Sequence, residues 1–248
     1  MDFLRKRNPH PRDERITFEE GPHIYTIDGV SDYTSATTVV HAHFSTFDAD
    51  KIITKMQNGR RWIVSKYFGM TREEIKAQWE NNRSSAAAAG TKMHLDIEKF
   101  YNNIPVENDS IEYKYFKNFI QSIPNLTPYR TEWMVFDTSL KLAGSIDMVY
   151  EQEDGTLLIY DWKRSKEIKK SNRWQSSTNK YLAHVPDSNF WHYSLQLNIY
   201  KYLLETNYGK TVAGMFLVCL HPNNQNQSFQ RLEVPTMAAE VVNIIQSM

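Results

Sequence analysis

The chain has 248 residues, of which 41% are hydrophobic and 13% aromatic, and its 29 basic residues balance its 29 acidic ones. That length and composition suit one globular domain with a large core, and the neutral balance argues against a surface coated with nucleic acid, though not against a local basic groove. The single cysteine, Cys219, excludes an internal disulfide and any metal site built from several cysteines.

The sequence carries no sign of a membrane or export segment. No apolar run approaches the ~20 residues of a membrane span, and the opening MDFLRKRNPHPRDER has no hydrophobic signal-peptide core. One cysteine in an apolar run also fits a reducing compartment. We therefore expect an intracellular protein, nuclear or cytoplasmic, without a membrane partner.

The N-terminal part is predicted to be a hairpin followed by helices. Residues 16–30, ITFEEGPHIYTIDGV, predict a β-hairpin with turns at the glycines. FDADKIITKM predicts a helix capped by Asp48 or Asp50, residues 59–82 are mostly helical in pattern, and residues 84–103 predict another helix. DSIEYKYFKNFIQSI predicts a further amphipathic helix that ends before Pro124.

Beyond Pro124 the pattern changes from helix to strand. YRTEWMVFD, LKLAGSIDMVYE and TLLIYDWK are separated by short turns, which predicts a three-stranded meander. A polar segment from Ser171 to Phe190 follows, and WHYSLQLNIYKYLLE then predicts a helix. Two more strands and a closing helix complete the chain.

Two strands of the meander carry charges among apolar residues. Residues two apart share a face, so Asp161 and Lys163 project from one side, and the EDG turn brings Asp147 to the same side. Two carboxylates at one point repel unless a cation lies between them, and Mg²⁺ takes carboxylate oxygens. The other interpretation is a salt bridge from Lys163 to either acid. The pair alone favours it, because Asp-x-Lys is a common tripeptide.

Residues on neighbouring elements strengthen the metal hypothesis. GTKMHLDIEKF places His94 and Glu98 four apart on one helical face. A third acid, Glu132, stands on the first strand of the meander. Gln196 and Tyr200 lie four apart on the helix that follows the polar segment.

The chain contains four short motifs in the order Gly-x-x-x-His at 90–94, Gly-x-x-Asp at 144–147, Asp-x-Lys at 161–163 and Gln-x-x-x-Tyr at 196–200. Together they resemble the RecB-type exonuclease branch of the PD-(D/E)XK nuclease superfamily. In the first motif, Gly90 is expected to allow close backbone approach near the start of its helix. The wider frame is similar to nucleases of large DNA viruses and phages, so a virus-encoded protein acting in the host cell is one expectation for its source.

The resemblance implies an α/β (α+β) fold with a restriction-endonuclease-like core. In that fold a mixed central β-sheet, flanked by helices, includes the meander that carries the active site. We expect a single nuclease domain over residues 1–248, with an N-terminal hairpin and helical lobe at 1–83 and the core at 84–248.

The resemblance also implies the role of each motif residue. The metal ligands would be His94, Asp147, Asp161 and the backbone carbonyl of Trp162, holding one or two Mg²⁺ or Mn²⁺ ions. Lys163 would be the catalytic lysine, acting with Asp161, Asp147 and Glu132, and Glu132 would serve a second ion or a bridging water. Gln196 and Tyr200 would support the active site or the scissile backbone. The iron–sulfur members of the family need four cysteines, so no cluster is expected.

A basic stretch, KRSKEIKKSNR, directly follows the Asp161–Lys163 pair. We expect the segment from Arg164 to Phe190 to be mobile without DNA and to pack along the DNA backbone when DNA is bound, because its polar composition offers little to bury and a loop this long inside a compact domain is usually functional or disordered. A solvated loop is the other interpretation. The predicted phosphate contacts are Arg83, Arg164, Lys166, Lys169, Lys170 and Arg173, and the candidates for base stacking are Trp62, Trp79, Trp174 and Trp191.

These observations favour a metal-dependent DNA nuclease that hydrolyses phosphodiester bonds with metal-activated water. An exonuclease is favoured over an endonuclease, on single- or double-stranded DNA. An RNA endonuclease of the cap-snatching type uses similar residues and is one alternative. A non-catalytic nucleic-acid-binding module on a nuclease fold is the other, and it is disfavoured because His94, Asp147, Asp161 and Lys163 are all present.

Overall fold

A computed structural model describes all 248 residues, in two compact units. The larger unit comprises Met1–Ser45 and Met93–Met248, and the smaller comprises Thr46–Lys92. None of the helices combines the length and the apolar character that crossing a bilayer requires.

The larger unit is built on a six-stranded mixed sheet and a separate two-stranded hairpin. The hairpin pairs β1 and β2. In the sheet, β5 pairs with β4 along one edge and with both β3 and β6 along the other, and β7 and β8 follow beyond β6. Only the β3–β5 and β6–β7 pairs are parallel. The strands are β1 Ile16–Glu19, β2 Ile24–Ile27, β3 Thr34–Ser35, β4 Thr127–Asp137, β5 Leu142–Glu151, β6 Leu157–Lys163, β7 Val212–Cys219 and β8 Gln230–Glu233.

Seven α-helices accompany the strands. Three of the caps follow from the sequence, since the side chains of Ser35, Asp48 and Ser110 each accept a hydrogen bond from a backbone N–H in the first turn of the helix they precede. The helices are α1 Phe3–Arg7, α2 Ala36–His41, α3 Ala49–Gln57, α4 Arg72–Tyr101, α5 Ile111–Ser122, α6 Asn189–Asn207 and α7 Ala238–Gln246.

Helices cover both faces of the sheet, and β6 displays the alternation that this arrangement needs. Leu157 and Ile159 pack with residues of α6 and α7 in one buried cluster. Leu158, Tyr160 and Trp162 pack with residues of α4 and α5 in another. The predicted mixed sheet with an internal meander and flanking helices is therefore confirmed.

One edge of β5 contains a gap. β4 pairs along the whole of the opposite edge, from Leu142 to Glu151. On the gapped edge, β3 pairs only with Leu142 and Ala143, and β6 pairs only with Met148–Glu151. Residues 144–147 lie between these two partners, so β3 and β6 separate at the middle of the sheet.

Two features of the chain's organisation differ from the sequence-based expectation. Residues 1–45 belong with the larger unit rather than with a lobe ending at residue 83, because β3 pairs with β5 and α1 packs on β4. The two helices expected within residues 59–103 are one helix, α4, preceded by turns. The serines and alanines at 84–89 contain no helix breaker, so nothing ends the helix before His94.

Candidate active site

The gap in β5 is where the acids of the meander meet. The ladder between β5 and β6 ends at the pairing of Met148 with Tyr160. Asp147 is the residue before Met148 on β5, and Asp161 is the residue after Tyr160 on β6. Beyond this point a side chain takes the place of the backbone partner: Oδ2 of Asp147 accepts a 2.9 Å hydrogen bond from the backbone N–H of Trp162. The backbone separation thus leaves room for side chains inside the sheet.

His94 of α4 reaches into the same place. Its Nε2 lies 3.0 Å from the carbonyl oxygen of Trp162. Its Nδ1 lies 3.5 Å from Oδ2 of Asp147 and 3.9 Å from Oε1 of Glu132. The potential ligand atoms of His94, Glu132 and Asp147 all lie within 4.8 Å of one another.

Glu132 has an unusual backbone. Thr131 pairs with Met148 and Trp133 pairs with Ile146, so Glu132 lies opposite Asp147 across the β4–β5 ladder. Its φ is +43°, a left-handed value that costs a non-glycine residue about 1–3 kcal/mol. Strain of this kind persists where the surroundings fix the chain.

Two buried neighbours fix the chain at Glu132. Buried Asp13 accepts hydrogen bonds from Arg130 at 2.7 Å and from Trp133 Nε1 at 3.1 Å, one residue on either side of the Thr131–Glu132 step. The carboxylate of Glu132 itself accepts a 2.9 Å hydrogen bond from Ser145 Oγ. The strained backbone therefore aims the acid at Asp147 and His94.

Lys163 and Asp161 form a buried ion pair beside this group. The Lys163 Nζ lies 2.7 Å from Asp161 Oδ2 and 4.4 Å from the ring centroid of Tyr193 on α6. The side chain of Asp161 is 4% exposed and that of Lys163 is 18% exposed. The salt-bridge interpretation of Asp-x-Lys is thus realised, but next to a cluster of further ionisable groups rather than at an isolated strand end.

Burial and mutual charge shift the pKa values of Asp161, Asp147, His94 and Lys163. Burial raises the pKa of Asp161 to about 6 against the opposing effect of Lys163, and burial also raises the pKa of Asp147. Burial lowers the pKa of His94, but Asp147 and Glu132 outweigh it and raise the value to about 9. Burial likewise lowers the pKa of Lys163, and Asp161 and Asp147 again outweigh it.

The donor set fits a hard divalent cation. One imidazole nitrogen and two carboxylates converge, with the Trp162 carbonyl against the same imidazole, and the oxygen donors of this set suit Mg²⁺ or Mn²⁺. Three acids and one lysine leave two negative charges uncompensated when His94 is neutral, which a divalent ion would balance. Asp161 lies outside the three-residue group, its carboxylate directed to Lys163, so its role as a direct ligand stays a prediction.

Gln196 and Tyr200 brace the gap from α6. The Gln196 Nε2 donates to the hydroxyl oxygens of Tyr200 and of Thr37, at 2.9 Å each. The Tyr200 ring packs on the backbone of Gly144, where an added Cβ would lie 2.5 Å from Tyr200 Cε1. The glycine and the tyrosine of two separate motifs are therefore one packing contact. By contrast, no atom lies within 4 Å of a Cβ built at Gly90, so the close approach expected at that glycine is wrong.

The residues predicted to bind the substrate backbone have different surroundings. Arg164 Nε donates to Glu112 of α5 at 2.7 Å, and both side chains are mostly buried. Lys169 pairs with exposed Glu167 at 3.3 Å, whereas Lys166 and Arg173 are exposed and form no ion pair. Arg83 lies in the smaller unit, paired with Glu80 at 2.8 Å. The ammonium of Lys170 lies 4.5 Å from the ring centroid of Phe190.

The polar segment between β6 and α6 is more anchored than its composition indicates. Leu182 and Val185 are buried in the core, and Ser177 donates a 2.7 Å hydrogen bond to the carbonyl of His43. The expectation that this segment has little to bury is wrong for its second half, because two apolar residues at a short 3₁₀ turn enter the core.

Three contributors were not found from the sequence. Tyr193 lies one helical turn before Gln196, a spacing that predicts the same face, but an aromatic residue at that spacing is usually core. Ser145 and Thr37 gave no signal, since each acts only through its hydrogen bond to Glu132 or Gln196. Glu98, on the same helical face as His94, is half-buried, and its burial and the nearby charge of Glu132 raise its pKa to about 7.

Residues 110–247 match the family profile of the PD-(D/E)XK nuclease superfamily, which covers more than half of the chain. The protein therefore belongs to that superfamily. No curated protein matches the chain. A solved structure titled "Crystal structure of SSO0001" shares 12% sequence identity and a TM-score of 0.35, with 87% of this chain and 74% of that chain covered. A likeness this weak carries no argument about function.

Proposed function

We propose that this protein is a metal-dependent DNA nuclease that acts as an exonuclease. The observation that carries the proposal is the convergence of His94, Glu132 and Asp147 at a gap in the sheet, with the Asp161–Lys163 pair beside them. Superfamily membership supports nuclease chemistry. The order of the four motifs, similar to the exonuclease branch, supports the finer assignment to DNA and to free ends.

The residues divide the work by position. His94, Asp147 and Glu132 would hold the divalent ion, and the Trp162 carbonyl adjoins the His94 imidazole. The ion, when bound, supplies Lewis-acid activation of water and of the scissile phosphate. Lys163, kept protonated by Asp161, supplies a positive charge where negative charge develops on the phosphate oxygens. Gln196 and Tyr200 hold the gap open by fixing α6 against Gly144.

The proposal is tested by cleavage of matched DNA and RNA substrates with Mg²⁺ or Mn²⁺, using linear and covalently closed circular DNA. We expect release of nucleotides from linear DNA, no cleavage of the circle, and little action on RNA. Asp147→Asn should abolish cleavage and Mn²⁺ binding measured by calorimetry, whereas Glu153→Gln, an exposed acid in the β5–β6 turn, should change neither.

Each departure from that result has a definite meaning. Cleavage of the circle would make the protein an endonuclease, and preferred cleavage of RNA would assign it to the cap-snatching type. Binding without cleavage by the wild-type protein would leave a non-catalytic module. Unchanged Mn²⁺ affinity in Asp147→Asn would remove Asp147 from the metal site.

A further inference from the structure

Trp174 is the most exposed large apolar side chain in the structure, with 92% of its surface accessible. The other three tryptophans considered for stacking are all partly covered. Trp79 Nε1 donates to the Tyr67 hydroxyl, Trp191 Nε1 donates to the Lys170 carbonyl, and Trp62 stands edge-on to Phe68. Full exposure of an indole forfeits the stabilisation that its burial would bring, so the position of Trp174 calls for an explanation.

The turn that carries Trp174 is built rather than loose. The side-chain oxygen of Asn172 accepts hydrogen bonds from the backbone N–H groups of Trp174 at 3.0 Å and Gln175 at 3.2 Å. Its side-chain nitrogen donates to the Asp187 carbonyl at 2.7 Å, and the Asp187 N–H donates to the Gln175 carbonyl at 3.0 Å. Asn172 therefore ties the backbone of the turn, from which the Trp174 side chain stands exposed, to the far end of the segment.

The chain that leads into this turn is basic. Arg173 directly precedes the tryptophan, and neither Arg173 nor Lys166, earlier in the same segment, has a carboxylate partner. The same segment leaves β6 at Lys163 and enters α6, whose Tyr193 contacts Lys163. An exposed aromatic ring next to an unpaired arginine is a combination that binds bases by stacking and phosphates by charge, and an apolar protein partner would not need the cation.

We propose that Trp174 is a stacking platform for an unpaired base of the nucleic acid that enters the active site. The proposal rests on the proposed nuclease function and specifies its substrate. A base inside a duplex has both faces covered by its neighbours, so an indole that stands clear of the surface can stack only on a single strand or on the terminal pair of a duplex. The bound nucleic acid therefore presents a free base face beside residues 170–174.

The test measures binding in EDTA, where cleavage is suppressed, by fluorescence anisotropy with labelled oligothymidine and with an oligomer of equal length made of abasic sites. Trp174→Ala should weaken oligothymidine binding about 5- to 100-fold, the range for loss of one base–aromatic stack. Trp174→Phe should retain most of the affinity. The abasic oligomer should bind all variants equally, because it offers phosphates without base faces.

Tyr181→Ala is the matched control, an exposed aromatic residue of the same segment whose ring already lies under Lys180 on a turn that packs near α7. We expect it to bind both oligomers like the wild type. Equal binding of oligothymidine by Trp174→Ala and the wild type would overturn the stacking role, as would a change from dimer to monomer in that variant, which would assign the ring to an interface between copies. Cleavage of DNA by the wild type in the same preparation would leave the proposed function standing in either case. A wild type that neither binds nor cleaves nucleic acid would overturn both.

Discussion

At the residue scale, the pairing of Lys163 with Asp161 decides what the lysine can do. Burial alone would lower the pKa of Lys163, but Asp161 and Asp147 raise it above the ordinary value. A lysine that keeps its proton cannot serve as a general base at neutral pH. We infer that Lys163 stabilises developing negative charge, and that activation of water falls to the metal site.

Lys163→Ala should abolish cleavage and, without metal, destabilise the protein more at pH 8 than at pH 5. Removing the ammonium leaves Asp161 buried without its partner at 2.7 Å, and an ionised acid in that position is costly. At pH 5 the acid is protonated, so the cost is smaller. Rates on linear DNA and thermal unfolding at the two pH values check this, with Lys163→Arg as the charge-preserving comparison. Near-normal turnover of Lys163→Ala would sink the catalytic assignment.

Without metal, the stabilisation that protonated His94 gives to the fold should be lost as the pH rises from 6.5 to 9. Its pKa of about 9 in the folded protein lies above its ordinary value of 6.5. Its contribution is therefore complete below pH 6.5 and is lost as the pH rises through 9, by about 1–3 kcal/mol. The penalty from Asp161, whose pKa is about 6, is already complete in this range.

Unfolding in urea at pH 6.5 and pH 9, in EDTA, measures this loss. Saturating Mn²⁺ should remove the loss, because the ion replaces the proton on His94. His94→Gln should show a flatter profile in EDTA. A wild-type free energy of unfolding that is constant over this range would contradict the arrangement of charges around His94.

At the element scale, the position of α6 depends on a glycine in β5. The Tyr200 ring occupies the space where a side chain at residue 144 would stand, and Gln196 ties the same ring to Thr37 ahead of β5. α6 also brings Tyr193 to Lys163. A displacement of the helix at Gly144 would therefore reach the lysine.

Gly144→Ala should lower the free energy of unfolding by about 1–3 kcal/mol and reduce cleavage, because overpacking moves either β5 or α6. The double variant Gly144→Ala, Tyr200→Ala should lose less unfolding free energy than the sum of the losses in the two single variants. A double-mutant cycle from urea unfolding measures this difference. Gly90→Ala is the control: it adds a methyl group in open space within α4 and should stabilise by about 0.5–1 kcal/mol. Additive effects of the changes at 144 and 200 would refute the packing of the ring on the glycine.

The meander and its charged face could be predicted because strand alternation and short turns are local. The joining of Gly144 to Tyr200 could not, because it depends on how α6 packs across the gap. The left-handed φ of Glu132 could not be predicted either, because Glu132 lies between Arg130 and Trp133, whose side chains donate to Asp13, 119 residues before Glu132 in the chain. The position of Glu132 on the first strand of the meander could be read from the sequence. The orientation of its side chain could not, because it depends on tertiary contacts.

At the scale of the whole molecule, a net charge of zero conceals an unequal distribution of charged residues between the two units. The smaller unit contains nine basic and five acidic residues, although the entire chain has 29 of each. The larger unit is therefore net acidic, and its exposed cations in the segment after β6 act against that background. Net charge alone gave no indication of either feature.

Changing Lys166 and Arg173 to Gln should weaken DNA binding across sequences and reduce the salt dependence of affinity. On duplex DNA, removing one cation that touches a phosphate flattens the logarithmic slope by ~0.9. The chemical step at saturating DNA should change little, since neither residue touches the metal group. Anisotropy titrations at several salt concentrations check this, with Lys6→Gln and Lys114→Gln, both exposed in the same unit, as the control pair. Equal slopes for the two double variants would place the DNA path elsewhere.

Because of the gap at residues 144–147, we expect two parts of β5 to differ in local stability. Met148–Glu151 have backbone partners on both edges, whereas 144–147 have a strand only on the β4 side. Protection of amide hydrogens follows such pairing, so exchange with solvent should be fast at the middle of β5 and slow at its C-terminal half. β5 therefore contains a short stretch whose order depends on side chains and on whatever binds between them.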